Sequence, residues 1–111
     1  MKAEFVFIPF AVKEDKIEMA KIAIKEFIAH IRKEEPGTLL YSSLQEKDRP
    51  NRFAHFMIFS DSNAHKNHRT TEYVEEFVQK LYPLCSEEPN PTFYAGYDIC
   101  GKSADEIIKA D

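Results

Sequence analysis

Two histidines stand three residues apart in the run Ala64-His65-Lys66-Asn67-His68, and a third, His55, lies one strand-like segment earlier. On a helix, residues three apart share a face, so His65 and His68 could act together. Histidine titrates near working pH, which suits it to general-base or hydrogen-bond-donor work. One histidine used in this way would sit where a strand ends and a helix begins, with Phe59 and Tyr73 as apolar walls. The competing reading is a histidine that only satisfies local backbone, with its neighbour a solvated helix residue. A metal reading needs a third ligand in the right geometry. His55 or Asp61 could supply it, but nothing in the spacing demands that, and no metal is expected. Tyr41, Tyr94 and Tyr97 could line a pocket, although strand tyrosines in a small domain also serve core and interface. The chain carries no phosphate loop, no nucleophile elbow and no paired zinc cysteines.

The elements that must position these side chains follow from hydrophobic periodicity. Glu4 to Val12 is apolar on both alternating faces, which predicts a strand buried on both sides. Pro9 inside it calls for a bulge or an edge. From Lys16 to about Glu34 the apolar residues Ile17, Ala20, Ile24, Phe27, Ile28 and Ile31 recur every three or four positions and predict one helix. Asp15 is its expected cap and Pro36-Gly37 its stop. Met19 and Ile22 fall outside the apolar stripe. Charge runs such as Arg32-Lys33-Glu34-Glu35 read as a solvated helix face.

Thr38 to Gln45 is a second expected strand, with Leu39, Tyr41 and Ser43 on one face. Lys47 to Asn51 has turn chemistry and leads into a third strand over Arg52 to Ser60, carrying Phe53, His55, Met57 and Phe59 on one face. Asp61-Ser62 caps a short helix through Ala64, His65 and His68. A longer helix runs from about Thr71 to the stop at Pro83. Ser86 to Pro91 reads as a loop and Thr92 to Cys100 as a fourth strand. Residues 1–101 make one domain, and the tail 102–111 adds a short helix or stays mobile.

The order β-α-β-β-α-β is the ferredoxin-like pattern: an α+β fold with a four-stranded antiparallel sheet and helices on one face. Two helices cover only one face of such a sheet. The other face would expose a full alternate set of Phe, Met, Leu and Ile, well beyond what a monomer usually shows. A second copy of the chain related by a two-fold axis is the expected cover, the alternatives being a ligand or the C-terminal tail.

Composition narrows the function classes. The 111 residues hold one core, and a formal charge of −4 with cations interleaved among carboxylates argues against nucleic acid. No apolar run is long enough for a membrane span, and the N-terminus has no signal-peptide pattern. The two cysteines, Cys85 and Cys100, form no disulfide framework, so a cytoplasmic setting is expected.

The region Phe53-x-x-Phe56-x-x-Phe59-x-Asp61-x-x-Ala64-x-x-x-His68 resembles the signature of the antibiotic biosynthesis monooxygenase family. Glu35-Pro36-Gly37-Thr38-Leu39-x-Tyr41 and Phe77-x-x-x-Leu81-Tyr82-Pro83 are similar to that family's first helix-to-strand turn and the end of its second helix. Together these pieces span most of residues 4 to 99. The resemblance implies a dimeric α+β barrel with a pocket between sheet and helices in each subunit. It implies His68 as the catalytic histidine and Phe59 as the aromatic beside it. Tyr73, His65, His55, Met57 and Tyr41 are the expected substrate-binding residues around them. Family branches include cofactor-free quinol and polyketide monooxygenases, haem-degrading enzymes and isomerase-like enzymes on small phosphorylated sugars. The haem-degrading branch relies on a Trp and a first-strand Asn; this chain has no Trp, and Glu4 to Val12 contains no Asn.

The leading expectation is therefore a homodimeric, cofactor-independent monooxygenase acting with O2 on a small phenol or quinol. One alternative is an isomerase-like enzyme on a phosphorylated metabolite, which would need a cationic pocket from Arg52, Lys66 or Arg69. Another is a dimer that binds a small molecule without turnover.

Overall fold

The structure, a computed structural model, describes residues 1–108; the last three residues of the expected tail lie outside the described residues. β1 (Glu4–Val12) leads through a 3-10 turn into α1 (Ile17–Glu34), followed by the hairpin of β2 (Thr38–Gln45) and β3 (Arg52–Phe59). Then come α2 (Ser62–Arg69), α3 (Glu72–Leu81), the short strands β4 (Cys85–Glu87) and β5 (Thr92–Ala95), and α4 (Ala104–Ile108). All pairings are antiparallel, in the order β2-β3-β1-β4, with β5 also against β1. This is the expected α+β, ferredoxin-like arrangement.

The central position of β1 explains its two apolar faces. Its Phe10 and Val12 lie under the helices, where they join Ala20, Ala23, Ile24, Phe27 and Ile31 of α1 and Phe77 and Leu81 of α3 in the buried interior, while Val6 packs beside Met57 and Phe59. Those α1 residues recur at helical spacing, so the stripe read from the sequence is the face that packs.

Pro9 is accommodated by a gap rather than by an edge position. Its carbonyl accepts from Asn90 N–H at 3.4 Å, on the side of β1 where β4 has ended and β5 has not begun. A strand residue's N and O point to the same side, so the missing N–H falls where no ladder bond is due. The same gap corrects the expected fourth strand. The edge consists of two pieces, Cys85–Glu87 and Thr92–Ala95, separated by a Pro-containing loop, and it ends before Tyr97, which is fully exposed.

Asp15 does not cap α1. The chain enters through the 3-10 turn Glu14–Lys16, closed by Lys16 N–H to Lys13 O at 2.9 Å, and no side chain caps the helix. The alternation expected for β2 also breaks. A register shift between Thr38 and Leu40 makes Leu39 an extra residue, which packs toward Ile58. Without this bulge Tyr41 would lie opposite Phe56, on the far face. With it Tyr41 pairs with Met57 and turns toward the helices.

The far face is apolar and partly open. α4 lays Ile107 against Ala3, Phe5, Phe56 and Ile58 at one corner, on the side opposite α1 to α3. Leu40, Leu44 and Tyr94 remain 43%, 51% and 53% exposed.

Candidate active site

Glu35 organises the site. α1 stops at Glu34 because the residue before Pro36 is driven out of helical conformation. Glu35 takes φ −122° and ψ 79°, and its side chain is only 8% exposed. This corrects the reading of Arg32-Lys33-Glu34-Glu35 as a wholly solvated face: the last residue of the run leaves the helix and turns inward. There its carboxylate accepts from His68 Nδ1 at 2.8 and 3.0 Å and from Thr38 Oγ1 at 2.7 Å. Tyr73 also donates its hydroxyl to Glu35 Oε2. An ionised carboxylate only accepts, so the imidazole proton resides on Nδ1 and Nε2 is left as a lone pair. Nε2 makes no hydrogen bond among the described residues. Burial pushes the His68 pKa below the ordinary histidine range, outweighing the opposing pull of Glu35.

Local chemistry fixes α2 in place to deliver His68. Asp61 accepts from Ala64 N–H at 2.8 Å at its N-terminus. At the other end Thr71 Oγ1 donates to His68 O at 3.0 Å and accepts from Val74 N–H at 3.2 Å, joining α2 to the start of α3. The α1–β2 turn presses directly on α2: a Cβ on Gly37 would come within 2.7 Å of Ala64 Cβ. Glycine at 37 and alanine at 64 therefore set how closely Glu35 and His68 approach.

Aromatic rings enclose the pair. Phe27 packs at 5.8 Å from His68, 5.5 Å from Tyr41 and 6.1 Å from Tyr73, and Phe59 lies 5.2 Å from His68. Tyr41 packs at 5.7 Å from His68 and hydrogen-bonds His55 Nδ1 at 2.8 Å. His55 continues behind Tyr41 into the core, with the edge of Phe10 at 5.1 Å. Its Nε2 is buried without a partner, the only such side-chain nitrogen or oxygen among the described residues. Burial lowers the His55 pKa to about 4, and burial, with Glu35 adding to it, pushes the Tyr41 hydroxyl well above the usual phenol range. Both are neutral at pH 7.

His65 is not the solvated member of the histidine pair. It is buried, stacks on Phe59 at 4.7 Å and hydrogen-bonds Glu4 Oε1 at 2.7 Å. The two histidines of α2 thus turn to different carboxylates on either side of Phe59. No group of three or more His, Cys, Asp or Glu residues able to hold a metal converges among the described residues. Met57 is buried in the sheet beside Val6, Phe59 and Tyr41. Of the cations considered for a phosphate pocket, Arg52 is held by Glu46 at 3.2 Å and Glu87 at 2.8 Å. Lys66 is exposed, and Arg69 lines a cavity with Glu4, His65 and Phe93.

Sequence reasoning brought His68, Phe59, Tyr41 and Tyr73 to one place but missed Glu35, Thr38 and Phe27. The signal for Glu35 was the proline after it, which ejects the side chain from the helix surface. A cavity of about 330 Å³ between α1 and β2 reaches Glu35, Thr38 and Tyr41. A second, of about 450 Å³, reaches Glu35 and Tyr73 from the α2 side. These features define the class: a small α+β protein with a split-βαβ sheet and a buried, carboxylate-held imidazole beneath aromatic rings.

Comparison with known proteins gives that class its family. The sequence profile of the antibiotic biosynthesis monooxygenase family matches residues 5–80, and the chain belongs to this family. The fold is shared with a candidate antibiotic biosynthesis monooxygenase of Caulobacter crescentus (TM-score 0.82, 18% identity, covering 87% of this chain and 92% of that one). A counterpart from Nitrosomonas europaea aligns with TM-score 0.79 and 24% identity over 90% and 95% of the two chains. A protein of Mycobacterium tuberculosis aligns with TM-score 0.81 and 17% identity over 89% and 99%. No curated protein gives a significant match. None of the described helices is long and apolar enough to cross a membrane.

Proposed function

We propose that the protein is a cofactor-independent monooxygenase that oxidises a small phenol or quinol with O2, using His68 as general base. The observation that carries this is the Glu35–His68 pair: a neutral, buried imidazole whose Nδ1–H is anchored and whose Nε2 is unpaired. Substrate reaches Glu35 and Tyr41 through the cavity between α1 and β2. His68 Nε2 takes a phenolic proton, and the neutral Tyr41 hydroxyl, steadied by His55, hydrogen-bonds the resulting oxyanion. Phe27 and Phe59 exclude water and hold the ring, while His65 and Met57 support Phe59 from behind. Tyr73 and Thr38 keep the Glu35 carboxylate oriented.

For a hydroquinone the atoms balance without a cofactor. The phenolate gives one electron to O2, forming a semiquinone and superoxide, which combine through a new C–O bond to a ring hydroperoxide. Loss of the ring C–H proton and cleavage of the O–O bond release water and leave a hydroxyquinone. The catalytic proton on His68 leaves with that water. Oxygen uptake by metal-stripped protein against a panel of hydroquinones tests the reading. Uptake above autoxidation that disappears in His68→Ala supports it; no uptake with any member of the panel refutes it.

The working unit is a homodimer joined through the far face of the sheet. Leu40, Leu44 and Tyr94 stay exposed there, and α4 covers only the corner at Ile58. The exposed remainder favours association.

A further inference from the structure

The groove between α1 and β2 holds cations that the site so far described does not use. It measures about 510 Å³, the size range of small-molecule sites. Ile24, Ile28 and Phe53 form its floor, Ser43 and Gln45 one wall, and Lys21, Lys25 and Arg32 the other. Carboxylates outnumber Lys and Arg by 19 to 15 in this chain, yet Lys25 and Arg32 have no ion-pair or hydrogen-bond partner among the described residues. Lys21 meets only the exposed Glu18, at 3.8 Å. On the opposite wall the Ser43 hydroxyl makes no hydrogen bond among the described residues, and Gln45 Nε2 is spent on Pro50 O at 2.7 Å. Ile28 and Arg32 also line the cavity that reaches Glu35 and Tyr41, so the groove is an arm of that cavity and Arg32 stands at the junction.

We propose that this arm binds an anionic substituent of the substrate, so that the protein selects aromatic substrates carrying a carboxylate or similar acid group. The apolar floor takes the body of the ligand, and Arg32 and Lys25 take its charge. Neutral phenols of the same size lack that second anchor. This rests on the reading that substrate enters at Glu35 and Tyr41, but it is tested by binding rather than turnover.

The test titrates 2-naphthoate and 2-naphthol into the native protein and a Lys25→Gln/Arg32→Gln variant, following backbone amide resonances. Both substituted side chains are exposed, and an unchanged melting temperature confirms that the variant folds. The expected result is a roughly 10-fold tighter Kd for naphthoate, the scale of one charge-assisted hydrogen bond. Shifts should centre on Ser43, Gln45 and Phe53, and the preference should vanish in the variant while naphthol binding is unchanged. Equal affinity for the two probes overturns the proposal, as does a preference that survives in the variant or shifts centred elsewhere. Inorganic phosphate binding as tightly as naphthoate overturns it in favour of a bare anion site. An acidic peptide binding more tightly overturns it in favour of a protein partner. Oxygen uptake separates this inference from the oxygenase reading. Naphthoate bound in the groove without uptake on hydroquinone or 2,5-dihydroxybenzoate sinks the oxygenase alone. Equal KM for those two substrates, unchanged in the variant, sinks the groove alone.

Discussion

At the scale of single residues, the site separates two neutral histidines with different surroundings. His68 is held by Glu35, which lines two cavities, whereas His55 is sealed behind Tyr41. Because burial lowers the His68 pKa, its basic form persists to more acidic pH than a free histidine's would. The acid limb of kcat/KM should therefore fall below the ordinary histidine range, which a pH–rate profile checks. Glu35→Gln should keep the fold yet cost roughly 100-fold in kcat/KM by releasing the Nδ1 tautomer, with the acid limb moving further down as the carboxylate charge is lost. His55 bears on stability instead. Its folded pKa of about 4 lies below the unfolded value, so between pH 6.5 and 4 the unfolded chain binds the extra proton. Stability contributed by neutral His55 is complete above that window and lost as pH falls through it. The span corresponds to roughly 3 kcal/mol. His55→Phe should flatten the pH dependence of urea unfolding across the window; a curve as steep as the native protein's would remove His55 as the cause.

The elements act through their ends. α2 has eight residues and owes its position to Asp61 at one end, Thr71 at the other and Gly37 beneath it. Asp61→Ala should cost about 1 kcal/mol in chemical denaturation, the usual worth of an N-cap. Gly37→Ala should do more to activity than to stability. The added methyl meets Ala64 Cβ, which cannot swing aside, so α2 must shift and widen the Glu35–His68 contact. Crystallography of that variant should find the separation longer than 2.8 Å. β2 contributes through its bulge at Leu39, which decides that Tyr41 faces the site. Local sequence carried little of this: alternation predicted Leu39 and Tyr41 on one face, and only the hairpin pairing with β3 inserts the extra residue.

For the whole molecule, the far face of the sheet is apolar and partly open, with Leu40, Leu44 and Tyr94 exposed. Sedimentation equilibrium should give twice the chain mass, and Leu44→Glu should shift it toward the monomer without disturbing the Glu35–His68 side. A native protein that sediments as a monomer at high micromolar concentration would leave α4 as the only cover and end the dimer reading. The β-α-β-β-α-β order, the packed stripe of α1 and the two apolar faces of β1 were legible because each follows from periodicity within one segment, although Phe5 and Phe7 on the far face are only half-buried. The interrupted edge strand was not, because its gap exists only relative to Pro9, some eighty residues earlier in the chain.

The amino-acid sequence by itself determined the layered fold, the family and the neighbourhood of His68, since these rest on local spacing and on motifs held within short runs. Tertiary structure alone decided which partners the histidines find. Glu35, Glu4 and Tyr41 come from other elements, 33, 61 and 14 residues away from His68, His65 and His55 respectively. The proton positions and the depressed pKa values of His68 and His55 depend on that convergence and on the exclusion of water around it.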